Sequence, residues 1–280
     1  MPVLLRRALR PLFTLTSTVV AAAVLSGCWP SVGTNFADPG PYPAVSVQVD
    51  AENTYYFPTD LRTDGIKNPV ILWGNGTFLE PIHYDALLRH LASHGFIVAA
   101  ANTMNAGSGN EMLAGLDHLT TFNSTPGNVF EGHVDLDRVA AMGHSQGGGG
   151  AINAARDPRV DTAVPIQPGG GNLAGLHGTV LFLSGDADTI VSSASVRQKY
   201  DGVASRIPAA YGDLAGADHF QPIGSGNAYR GHLTAWLRWQ LMDDPIAGNQ
   251  FVGTCAYCGN PIWHTYVTNT LLQATAPPPG

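Results

Sequence analysis

Along most of the chain, short unbroken apolar runs rich in β-branched residues alternate with stretches whose apolar positions recur every three or four residues. The first pattern predicts strands buried on both faces and the second predicts amphipathic helices. Val45 to Val49, Thr54 to Phe57, Pro69 to Trp73 and Phe96 to Ala101 read as strands. So do Val139 to Gly143, Thr162 to Ile166, Val180 to Ser184 and Ile207 to Tyr211. Helices are expected over Tyr84 to Gly95, about Asn110 to Phe122, Gln146 to Arg156, Ser193 to Tyr200 and Gly231 to Met242, with Gly95 as a C-terminal stop. The first two strands read as antiparallel. After them, the regular alternation implies an α/β domain: a mostly parallel sheet with helices on both faces and every strand's C-terminal end along one edge. No repeat or second core interrupts it, so one domain is expected over residues 43–280.

Before that domain the pattern differs. Arg6, Arg7 and Arg10 precede an apolar stretch from Leu12 to Leu25 that is too short for a stable bilayer span. Residues 1–27 therefore read as an export signal. Leu25-Ser26-Gly27-Cys28 resembles the lipobox of bacterial lipoproteins. That resemblance implies cleavage before Cys28, acylation of its thiol, and a protein lipid-anchored in the bacterial cell envelope on the periplasmic or cell-surface side. Residues 28–42, rich in Pro, Gly and Asn, read as a tether.

Losing the three arginines moves the formal charge from −7 to −10. With no basic run, this argues against a nucleic-acid partner. Cys255 and Cys258 are expected to form a local disulfide in an oxidising compartment. Their Gly- and Asn-rich setting does not suit a redox motif, and with His264 they supply too few ligands for a metal.

The candidate chemistry starts at Gly143-His144-Ser145-Gln146-Gly147, followed by three more glycines. The spacing fits neither the Rossmann nor the Walker phosphate loop. It is G-x-S-x-G between a predicted strand and a predicted helix, the context of a nucleophile elbow. Serine needs a base, and the base needs an acid to orient it. Downstream, Gly185-Asp186-Ala187-Asp188-Thr189-Ile190-Val191 offers two acids; the stretch resembles the α/β-hydrolase G-x-x-D-x-hydrophobic-V turn, and that resemblance implies Asp188 as the acid, with Asp186 as alternative or turn cap. His219 follows in a loop after the last predicted strand. His232 is its rival, but it belongs to a helical repeat that suits packing. His144 reads as a support of the elbow. Oxyanion donors are expected from the backbone of Gln146 and of the loop Gly74-Asn75-Gly76, with Asn75 favoured over Gly76.

Taken in order, "VILWGNGT", "LLRHLASHGFIVAAANT", "DLDRVAAMGHSQGGGG", "GDADTIV" and "ADHF" resemble the compact bacterial α/β-hydrolases of the cutinase, polyester hydrolase and dienelactone-hydrolase-like group. The resemblance covers roughly residues 45–242. It implies an α/β-hydrolase fold and serine carboxylic ester hydrolysis through an acyl-enzyme. It calls for no metal or organic cofactor and implies an ester substrate, whether small ester, lipid or polyester; a monomer is expected. Polyester-degrading members carry an aromatic residue, a methionine and a tryptophan where this chain has Asn75, Gln146 and Gln167-Pro168-Gly169. Dienelactone hydrolases proper use cysteine where Ser145 stands. Only about a dozen residues separate the strands ending at Ile166 and starting at Val180, too few for a lid domain. An acyltransferase with the same triad and a non-catalytic binding lipoprotein are the competing expectations.

Overall fold

The computed structural model describes residues 29–43, 45–61 and 65–275. The expected export signal, Cys28 and the last five residues of the tail lie outside the described residues. Strands β1 (Val45–Val49), β2 (Asn53–Pro58), β3 (Asn68–Gly74), β4 (Ile97–Ala101), β5 (Val134–His144), β6 (Thr162–Ile166), β7 (Thr179–Gly185), β8 (Ala209–Leu214) and β9 (Trp263–Thr268) form one sheet. Their order is β1-β2-β4-β3-β5-β6-β7-β8-β9. β4 through β8 run parallel in that order, while β1, β2 and β9 are antiparallel at the edges.

Successive residues of the central strands enter opposite cores, as the two-residue strand period requires. Ile71, Trp73, Ala140, Met142, Leu181 and Leu183 pack against α1 (Asp85–Ser93) and α5 (Arg230–Met242), through Leu87, Leu91, Trp236 and Leu237. Val70, Leu72, Val139, Ala141, Val180 and Phe182 pack against α2 (Asn110–Asn123), α3 (Gln146–Ala154) and α4 (Ser193–Asp201). Burying each of the larger of these side chains stabilises the fold by about 1.5–3 kcal/mol, which is why these runs show no polar alternation.

The structure departs from the sequence reading in three places. β5 starts at Val134, ahead of the apolar run, and its register against β3 shifts between Pro69 and Val70. β9 closes the far edge of the sheet, and its segment was not expected to be a strand. It lies on β8, pairing Leu214 with Trp263 and Ala210 with Thr268.

The third departure concerns residues 29–42, which are not a free tether. Phe36 is buried, and Trp29 packs on the α1/α5 core. Arg238 Nη2 donates to the Pro30 carbonyl at 2.8 Å, and His94 Nε2 bonds the Asp38 carbonyl at 3.1 Å. The amides of Gly40 and Tyr42 bond Ser93. Backbone groups that a solvated linker would give to water are used here by α1 and α5. Among the described residues no helix is long and apolar enough to cross a membrane.

Candidate active site

The strand-to-helix turn between β5 and α3 is tight enough to force Ser145 to φ 55° and ψ −118°. A non-glycine residue held there costs on the order of 1–3 kcal/mol and persists only where its surroundings impose it. The Ser145 amide bonds the Ile166 carbonyl at 2.9 Å, and the Ser145 carbonyl accepts from Gly169 at 2.8 Å and Gly149 at 3.1 Å. The flanking glycines are needed because backbone passes against them. A β-carbon on Gly143 would strike the Gly147 carbonyl, and one on Gly147 would strike the Gly74 carbonyl. Gly149 and Gly150 lie as closely under the carbonyls of Gly169 and Ala106. The helix can therefore seat on the strand ends only with this composition.

Ser145 Oγ lies 2.9 Å from His219 Nε2, and His219 Nδ1 lies 2.7 Å from Asp188 Oδ2. A carboxylate can only accept, so Nδ1 carries the proton and Nε2 presents a lone pair to the serine hydroxyl. The Asp188 side chain is fully buried and that of His219 is 6% exposed. Asp188 Oδ1 accepts from the amides of Ile190 and Val191, each at 2.8 Å, which fixes the carboxylate on its turn. Asp186, the alternative acid, accepts from the Gly216 amide at 2.6 Å and faces His264 instead. His232 is packed among Phe251, Tyr257, Trp263 and Tyr266, where burial holds its imidazole well below the ordinary histidine range.

A second hydrogen-bonded chain runs behind the triad. The Gly76 amide donates to the Tyr84 hydroxyl at 3.2 Å, Tyr84 bonds His144 Nδ1 at 2.8 Å, and His144 Nε2 bonds the His219 carbonyl at 2.8 Å. Because the carbonyl only accepts, His144 must donate from Nε2 and accept at Nδ1. The tyrosine hydroxyl is therefore donor to His144 and acceptor from Gly76. Tyr84 and His144 are buried, and burial, with His219 nearby, lowers the His144 pKa to about 3. Sequence reasoning anticipated a support role for His144 but missed Tyr84, which stands at the entry of an amphipathic helix with no local motif. Gln167 adds a further brace: at φ 46° its Nε2 donates to the Asp218 carbonyl at 2.7 Å, next to His219.

Around the expected oxyanion position, the Asn75 side chain is consumed by scaffolding. It accepts from Trp73 Nε1 at 3.0 Å and donates to the carbonyls of Ala101 at 2.6 Å and Thr103 at 3.1 Å. Among the described residues no hydrogen bond occupies the backbone N–H of Asn75 or of Gln146, whereas that of Gly76 is taken by Tyr84. The Gln146 side-chain oxygen is buried without a partner. Cys255 and Cys258 form a disulfide with Cα atoms 5.3 Å apart, remote in sequence from the triad. No cluster of three or more histidine, cysteine or carboxylate side chains suited to a metal occurs among the described residues.

The family model described as PETase, PET hydrolase-like, matches residues 21–264. The chain is 30% identical over 229 residues to the bis(hydroxyethyl) terephthalate hydrolase of Streptomyces coelicolor, covering 76% of this chain and 71% of that protein. It is 31% identical over 174 residues to cutinase est2 of Thermobifida alba, covering 59% of this chain and 56% of that one. Against a cutinase of Thermobifida fusca the identity is 30% over 173 residues, with the same two shares. With the mostly parallel sheet and no inserted lid domain among the described residues, the protein therefore belongs to the PET-hydrolase-like family of α/β-hydrolases and is a carboxylic ester hydrolase.

Proposed function

We propose that this ester hydrolase acts through Ser145 as nucleophile, His219 as general acid and base, and Asp188 as the group that fixes the imidazole tautomer. The observation that carries the reading is the continuous pair of bonds, 2.9 Å from Ser145 Oγ to His219 Nε2 and 2.7 Å from Nδ1 to Asp188. As Oγ attacks the ester carbonyl carbon, its proton passes to Nε2. The resulting oxyanion is held by the N–H groups of Gln146 and Asn75, each donor contributing roughly 3–4 kcal/mol to the transition state. The imidazolium then protonates the leaving alcohol as the C–O bond breaks. A water molecule, deprotonated by the same nitrogen, releases the acid and restores the serine. Asn75 is favoured over Gly76 because the Gly76 amide already has an acceptor in Tyr84. No metal or organic cofactor takes part.

The substrate is an apolar ester met at an open surface. Phe78, Met104, Ile190 and Phe220, from four separate connections at the edge that carries Ser145, are 79%, 47%, 61% and 58% exposed. Such apolar exposure around a site marks a binding surface. The protein acts as a monomer anchored to the bacterial envelope through an acylated Cys28. Replacing Ser145 by Ala is expected to abolish turnover of p-nitrophenyl esters with the melting curve preserved, and undiminished hydrolysis would overturn the assignment. A chain-length series of esters beside a polyester film then ranks the substrates.

A further inference from the structure

Trp29 is the first described residue of the chain. It lies against the backbone of Gly95 and lines a cavity of about 650 Å³ with Lys67, Asp135, Arg138 and Arg238. All of these belong to one edge of the sheet. Lys67 immediately precedes β3, Asp135 and Arg138 lie in the first half of β5, and Arg238 is near the C-terminal end of α5, which runs back against the strands. Asn75, Ser145, Asp188 and His219 follow the C-terminal ends of β3, β5, β7 and β8, on the opposite edge. The seven residues of β3 span about 20 Å at roughly 3.3 Å each, and the thirteen of α5 span a similar length at roughly 1.5 Å each. Trp29 is therefore held about 20 Å from Ser145, across the depth of the domain.

A free fifteen-residue tether could extend roughly 50 Å and let the domain roll in any direction. The bonds from Arg238 to Pro30, His94 to Asp38 and Ser93 to Gly40 and Tyr42 remove that slack. The exposed apolar side chains Phe78, Ile190 and Phe220 belong to the far edge. On an anchored protein such a rim would ordinarily be read as dipping into its own bilayer. Here it points the other way.

We infer that the anchored enzyme works with its back to the membrane, taking apolar esters presented from the aqueous side and sparing acyl esters of the bilayer that holds it. This rests on the reading of Cys28 as the anchor and Ser145 as the nucleophile, and each can be checked apart. The test couples the mature chain through the Cys28 thiol to a maleimide lipid in vesicles, with the Cys255–Cys258 disulfide kept oxidised. A fluorogenic acyl ester is placed either in the same vesicles or in separate ones. A Cys28→Ser/Asn105→Cys chain, tethered by an exposed residue after β4 on the edge that carries the site, is the comparison. The Cys28-tethered enzyme is expected to cleave ester in separate vesicles at least about tenfold faster than ester in its own, and the Asn105 tether to invert that ratio. Equal or faster cleavage within its own vesicle by the Cys28 tether, or none in separate vesicles, overturns the inference. Undiminished turnover of soluble p-nitrophenyl ester by Ser145→Ala would instead sink the nucleophile reading. An unacylated Cys28 in bacterial membrane fractions, seen by mass spectrometry, would sink the anchor, and either result would take the inference with it.

Discussion

Replacing Tyr84 by Phe removes one oxygen from the chain behind the triad and leaves the ring in place. That oxygen accepts from the Gly76 amide and donates to His144 Nδ1, and Tyr84 and His144 are at most 1% exposed. No water can reach the two orphaned groups without rearrangement, and each unsatisfied buried group costs about 1–3 kcal/mol. A net loss of about 2–3 kcal/mol of stability follows, which in a domain of this size lowers Tm by roughly 4–12 °C. The second effect falls on catalysis. His144, with no donor at Nδ1, is free to move its proton there. Its Nε2 lone pair would then face the His219 carbonyl, pushing apart the two loops that carry the base and the Asn75 amide. We expect kcat on p-nitrophenyl butyrate to fall about tenfold with KM within about twofold, measured well below the lowered Tm. An unchanged kcat beside a lowered Tm would mean that the chain only stabilises the fold, and no change in either would refute the hydrogen-bond assignment itself.

Asp188→Asn is expected to cost on the order of 10³–10⁴ in kcat, because the amide disfavours the required imidazole tautomer. Asp186→Asn should cost less than about tenfold, and stopped-flow or steady-state ester assays on the two variants compare them directly. Acid stability depends on buried histidines: burial holds His90 near pKa 4, His94 and His144 near 3, and His232 well below its ordinary value. Each binds a proton more readily when unfolded. Its contribution is therefore intact above about pH 6.5 and is lost as pH falls from there toward the folded pKa, by up to about 1.4 kcal/mol per pH unit. Chemical denaturation midpoints should drop steeply between pH 6.5 and 4.5, and a flat profile across that window would contradict the buried neutral state of these rings.

What was legible in the sequence was what the local backbone dictates. Ser145 between Gly143 and Gly147 announces a turn that admits no other spacing, and Asp188 and His219 follow in order on loops after apolar strands. The alternation of strands and helices likewise reads directly, because both faces of β3, β5 and β7 are buried. What stayed hidden depends on partners distant along the chain. Tyr84 matters only because His144, sixty residues away, turns its ring toward it. β9 is a strand because β8 offers it an open edge. The Pro- and Gly-rich composition of residues 29–42 read as a tether and gave no sign that Arg238, His94 and Ser93 would bind it. In the sequence Asp186 and Asp188 were separable only by motif resemblance; in the fold their donors differ, the Gly216 amide for Asp186 and His219 Nδ1 for Asp188.

The central claim, that Ser145 is the nucleophile activated by His219, is tested most directly by covalent capture. A fluorophosphonate reacts with an activated serine and leaves a phosphonyl adduct whose site peptide mass mapping locates. The account predicts one adduct per chain, on the peptide containing Ser145. Labelling should disappear in Ser145→Ala and slow by at least a hundredfold in His219→Ala. An adduct on another residue, or labelling of Ser145 at full rate without His219, would contradict it.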